Sequence, residues 1–85
     1  MLRLEWPANP ADEFVTSYLV YESVNGGPFT LKATVNEPFL QFNSAPGHYA
    51  WKVVAANFVG QSEESEVTEG PDVPSAPPAP TLLVL

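Results

Sequence analysis

Apolar and polar positions alternate along most of this chain, and the alternation breaks at residues that favour turns. Leu2, Leu4 and Trp6 alternate with Arg3 and Glu5, which predicts a short half-buried strand. Pro7 to Ser17 contains Pro7, Asn9, Pro10 and Asp12 and reads as a loop. Tyr18 and Val20 then oppose Leu19 and Tyr21 in a strand over 18–22. Asn25-Gly26-Gly27 follows; these residues tolerate positive φ and predict a hairpin turn. Phe29, Leu31, Ala33 and Val35 alternate with Thr30, Lys32 and Thr34, the clearest run of period two in the chain. Phe39 to Phe42 is a short strand after Pro38, and Ser44 to Gly47 is a turn. Tyr49, Trp51, Val53 and Ala55 line one face of the longest strand, with Ala50, Lys52, Val54 and Ala56 on the other. Both faces are apolar except at Lys52, which places that strand centrally in its sheet. Asn57 to Gly60 turns the chain into an edge strand over 62–68, whose apolar contact is Val67.

Short strands separated by turn chemistry, with no competing helical period, predict an all-β sandwich. Eighty-five residues make one domain, and no cysteine is present, so the fold does not rest on disulfides or thiolate metal sites. The net charge is −7, with Arg3, Lys32 and Lys52 as the fixed cations. That balance argues against nucleic acid, whose phosphates bind proteins that displace counterions, and against anionic membranes. No apolar run reaches the length of a membrane-spanning helix, so no membrane insertion is expected. Met-Leu-Arg-Leu-Glu-Trp lacks the apolar core of a signal peptide, and with Met1 as the start the protein is expected to be made in a cytoplasm. Residues 71–80 hold five of the ten prolines and read as an extended polyproline linker. The linker leads into Thr81-Leu-Leu-Val-Leu85, an apolar strand-like segment.

In order, the chain carries Leu4-Glu-Trp6-Pro7, Tyr18-Leu-Val20-Tyr21, Asn25-Gly-Gly-Pro-Phe29, Pro46-Gly47-His-Tyr49-Ala-Trp51-Lys-Val53-Val-Ala55-Ala-Asn57 and Gly60-Gln-Ser62. This succession resembles fibronectin type III domains, most closely those of bacteria and bacteriophages, over roughly residues 2–70. The resemblance implies an immunoglobulin-like sandwich over 1–70, with strands B to G. Its signature core residues would be Trp6, Tyr18, Val20, Phe42, Tyr49, Trp51 and Val53. It also implies that the Tyr49 hydroxyl ties the E–F connection to the backbone as a tyrosine corner. The chain departs from the family pattern in two ways. One residue is missing between Gly47 and Tyr49, with Phe42 in place of the usual leucine under the corner. The chain also opens directly on strand B, while residues 74–85 resemble the way the family begins a domain. Strand A is thus expected to be displaced to the C-terminus, at 81–85. Leu82, Leu83, Val84 and Leu85 become the expected docking residues, and three routes stay open for them: the domain's own vacant slot or surface, the slot of a like subunit, or an unlike partner.

Catalysis finds no footing. His48 is the single histidine and sits in a turn, where it reads as an exposed residue. No Ser-His-Asp set can be assembled, and Asn25-Gly26-Gly27 lacks the helix and lysine of a phosphate cradle. Glu63, Glu64, Glu66, Glu69 and Asp72 form an acidic run that matches no calcium loop and reads as a solvated edge repelling unwanted strands. Glu5, Glu22 and Glu37 have no reasoned pairing as acid and base. Tyr21 and Phe58 read as single exposed aromatics. The expectation is a non-enzymatic module without cofactor or metal whose partners are proteins, either further copies or other virion subunits. Its expected setting is a bacteriophage virion, as a head decoration, neck or tail accessory protein. The alternative is an extracellular spacer or carbohydrate-associated module of a bacterial enzyme or adhesin.

Overall fold

A computed structural model describes residues 2–70, 72–74, 80, 82 and 84. Six strands follow in chain order: β1 (Leu2–Glu5), β2 (Ser17–Val24), β3 (Thr30–Val35), β4 (Phe39–Phe42), β5 (Tyr49–Ala56) and β6 (Thr68–Glu69). They form an all-β, sandwich-like fold of two antiparallel sheets, one ordered β1-β4 and the other β3-β2-β5-β6. The strand with two apolar faces, β5, lies between β2 and β6, as its composition predicts. The loop before β2 contains one 3-10 turn, Ala11–Glu13, which ends on Phe14 in the left-handed region at φ 51°.

The hairpin between β2 and β3 follows its sequence signal. Asn25 and Gly26 both take positive φ, 51° and 76°, and the Gly27 amide donates to the Val24 carbonyl at 3.0 Å. This is the turn geometry whose twist suits two antiparallel strands. The Asn25 side chain does a second job, because its Oδ1 accepts from the His48 amide at 2.9 Å. The hairpin is thereby fastened to the turn that precedes β5.

The strict alternation expected along β3 fails at one point. Val20 pairs with Ala33 while Tyr21 pairs with Leu31, so Lys32 is an inserted bulge residue. The bulge leaves Leu31 exposed at 53% and turns Lys32 inward. There its ammonium lies 3.2 Å from Glu22 Oε2 and 4.3 Å from the centre of the Phe42 ring. The edge strand expected over 62–68 is also shorter than its sequence suggests. Ser62 and Ser65 donate their amides to the Ala55 and Val53 carbonyls, and their hydroxyls accept from the Ala55 and Val53 amides. Side-chain oxygens thus replace half of the ladder, a competition that serine offers the backbone wherever it can. Regular pairing begins at Thr68, and Val67 is 51% exposed rather than a packing contact.

Between the sheets, Tyr18, Val20, Tyr49, Trp51 and Ala55 are buried. Trp6 meets Tyr18 edge-on at 5.5 Å, and Phe42 meets Trp51 edge-on at 5.9 Å, so one ring just past β1 and one on β4 interlock with the larger sheet. Trp6, Phe42 and Val53 are half-buried, whereas Val54, on the opposite face of β5, is buried. The Tyr49 hydroxyl donates to the Ala45 carbonyl at 2.7 Å and pins the approach to β5. Gly70 passes over the Trp51 indole so closely that a Cβ there would lie 2.6 Å from Cζ3 and 2.8 Å from Cη2.

Two substitutions test this packing by urea unfolding. Tyr49→Phe removes one half-buried hydrogen bond without changing shape, and should lower stability by about 1 kcal/mol. Gly70→Ala forces the indole or the chain after β6 to move, and should cost about 1–3 kcal/mol as an overpacked site.

Candidate assembly site

The smaller sheet has just two strands, and β1 pairs with β4 through Leu2–Phe42, Arg3–Gln41, Leu4–Leu40 and Glu5–Phe39. The Trp6 amide continues the ladder by donating to the Pro38 carbonyl at 3.1 Å. Antiparallel pairing alternates bonded and non-bonded positions, so the bonds to β4 fall on Leu2, Leu4 and Trp6. The backbone N–H and C=O groups of Arg3 and Glu5 therefore point the other way. Among the described residues no strand pairs with them there. The side chains of these two residues stay on the outer face, where Arg3 ion-pairs with Glu5, reaches Gln41 Oε1 at 3.1 Å and covers the Phe39 ring at 4.3 Å.

Beside this free edge the sandwich is open. A cleft of about 480 Å³ separates β1 from the chain that runs along β5. Leu4, Trp6, Tyr18, Trp51, Val53 and Ala55 line it with apolar surface, and Glu5, Glu63 and Glu66 give it an acidic rim. Trp6 Nε1 is buried without a hydrogen-bond partner, the one such side-chain atom among the described residues. An indole N–H left this way in a core is costly, and it marks the cleft as short of an acceptor.

The two ends of the site are chemically distinct. Trp6 packs on Tyr18, which pairs with Ala55 near the end of β5, so β1 finishes at that pole. Leu2 pairs with Phe42, whose ring meets Trp51 near the start of β5, so β1 begins at the opposite pole. The chain leaves the domain at this second pole. Gly47 and Val73 exchange backbone bonds of 3.0 and 2.8 Å, while His48 Nδ1 lies 2.7 Å from Asp72 Oδ1 and Nε2 lies 3.9 Å from Glu69. At the Trp6 pole the 7–16 loop and the 57–60 turn are joined by Asn57 Nδ2 donating to the Glu13 carbonyl at 2.8 Å. Together they expose Phe14, Phe58 and Val59, the last two at 82% and 81%.

Of the four expected docking residues, Leu82 and Val84 are described and stand 86% and 90% exposed. Leu83 and Leu85 lie outside the described residues, as does Thr81. His48, read from the sequence as an exposed turn residue, is exposed, and its ring also pairs with Asp72 of the departing chain. Tyr21 is half-buried and Phe58 is exposed. Sequence reasoning passed over Glu22, whose Oε2 accepts from Trp51 Nε1 at 2.9 Å while facing Lys32. A glutamate at an inward-facing position of β2 was the available signal. Among the described residues no three metal-ligating side chains converge, and no helix is long and apolar enough to cross a membrane. No family model matches the chain, and no curated protein matches it.

Proposed function

We propose that this chain is a non-enzymatic structural and assembly module that takes an extended protein segment along the free edge of β1. The observation that carries the reading is the outward-facing backbone of Arg3 and Glu5 beside an open apolar cleft. Addition of a strand to such an edge gives affinity through main-chain bonds and selectivity through alternate side chains. It would also bring backbone carbonyls to the side of the site where Trp6 Nε1 has no acceptor.

The sandwich is of fibronectin type III kind in this reading, with β1 in the place of the family's second strand and the first strand missing from its usual position. A two-plus-four strand arrangement, the Tyr49–Ala45 bond, the Trp6 ring in the core and the Asn25-Gly26 hairpin support it. We place the module in a bacteriophage virion, as a decoration, neck or tail accessory protein, on the strength of that resemblance.

Hydrogen exchange followed by NMR tests the edge. In dilute chain the Arg3 and Glu5 amides should exchange quickly and the Leu4 amide slowly. A millimolar soluble peptide of alternating valine and threonine should slow Arg3 and Glu5 selectively. Arg3 and Glu5 amides that are already protected at micromolar dilution, or that ignore the peptide, would overturn the reading.

A further inference from the structure

We infer that the segment taken up by β1 is Thr81–Leu85 of a second copy, entering antiparallel from the Trp6 pole, with Leu82 beside Trp6 and Val84 beside Leu4. The inference rests on the edge-accepting role proposed above and names its occupant.

Direction is the first argument. β6 runs antiparallel to β5, and the Gly47–Val73 bridge fixes the departing chain at the pole where β1 begins. The chain therefore leaves the body heading away from its own cleft. Re-entering that cleft antiparallel to β1 would require a climb of about 17 Å to Trp6, at roughly 3.3 Å per residue, and then a reversal. The seven residues 74–80 span about 22 Å as polyproline at 3.1 Å each, which leaves only about 5 Å for two changes of direction. Pro74, Pro77, Pro78 and Pro80 also push the residues before them into extended backbone. A copy stacked below in the same orientation presents its Trp6 pole to the oncoming segment, and the linker needs no reversal.

Chemical fit is the second argument. Leu82 and Val84 stand two apart, so in a strand they share one face, and both are almost fully exposed in the isolated chain. Set opposite Trp6 and Leu4, they cover the apolar cleft, and residues 83 and 85 fall opposite Glu5 and Arg3, where unpaired backbone groups wait. No residue from 73 to 85 carries a charged side chain, so the segment passes the acidic rim without like-charge repulsion. The pole it crosses is the one that exposes Phe14, Phe58 and Val59, apolar surface against which a proline-rich linker can lie.

Each copy gives one segment and receives one, so the contact is head-to-tail and propagates as a chain or closes as a ring. Light scattering on the full chain should show mass rising with concentration. Leu82→Asp with Val84→Asp disables the donor and should weaken association by about 100-fold, tenfold for each side chain withdrawn. Arg3→Pro disables the acceptor by removing an outward amide without touching a backbone bond to β4, though it gives up the Arg3 side-chain contacts with Gln41 and Phe39; Glu5→Pro removes the other outward amide and keeps those contacts. Each variant alone should be monomeric. Mixed, they should form a 1:1 pair that grows no further, because one carries the intact tail and the other the intact edge.

A wild-type chain that stays monomeric at millimolar concentration overturns the inference, as does unaltered association in the donor variant or a mixture that does not pair. If the valine–threonine peptide still slows exchange at Arg3 and Glu5 in that case, the edge-accepting role stands and only its occupant is wrong. If the peptide fails as well, both fall.

Discussion

The indole of Trp51 joins every layer of this small sandwich. It projects from the central strand β5, meets Phe42 of the smaller sheet edge-on, stacks on Tyr49 at 6.0 Å and lies under the backbone of Gly70. Its N–H is satisfied by Glu22 of β2, which in turn faces Lys32 of β3. One side chain thus sets the spacing between β4 and β5, holds the chain after β6 in place, and gives the inward carboxylate of β2 a donor. A half-buried carboxylate without such partners would destabilise the core, since desolvating a charge costs more than the apolar contact around it returns.

This arrangement secures the smaller sheet at one end and leaves it open at the other. A two-stranded sheet is marginal alone and needs a face to pack on. Phe42 provides that anchorage on the β4 side through Trp51 and the Lys32 ammonium, and Trp6 provides it on the β1 side through Tyr18. Beyond Trp6 nothing among the described residues covers the gap towards the chain along β5. In the reading proposed above, the cleft is the space a third strand would fill. Its walls are built by residues the core already needs, so the same packing that folds the domain also shapes the site.

The strands were readable from the sequence wherever alternation followed burial. β4 and β5 fall on their expected residues, and the Asn25-Gly26 turn has the backbone its side chains favour. The bulge at Lys32 was hidden because Leu31 continues the apolar rhythm of Phe29 and Ala33. The strand yields that rhythm to bring a cation to Glu22 and Phe42, a demand set by the neighbouring strand and sheet. The 62–68 segment misled for another reason. Its serines bond to β5 through their hydroxyls, and local side-chain competition of this kind leaves the hydropathy pattern unchanged. That β1 has a single neighbour among the described residues was not legible in its own residues, because a single strand's sequence does not say how many neighbours it has. The tail reads as an apolar strand from four aliphatic residues after a proline-rich run, but it lies mostly outside the described residues, and Leu82 and Val84 stand exposed and in no strand.

The edges of the two sheets differ in how they meet other strands. In the segment leading into β6 the chain is irregular and studded with Glu63, Glu64 and Glu66, all exposed, so a strand approaching there meets neither a ladder nor a neutral surface. On β1 the ladder is regular, and its two outer charges, Arg3 and Glu5, neutralise each other across one residue. A protein of net charge −7 repels further copies of its own body, and the uncharged segment proposed as donor, on its proline-rich spacer, would escape most of that repulsion on its way to the β1 edge. In the assembly inferred above, the acidic surface would discourage sheet-to-sheet collapse between copies, while the neutral tail would allow contact at a single place and in a single direction.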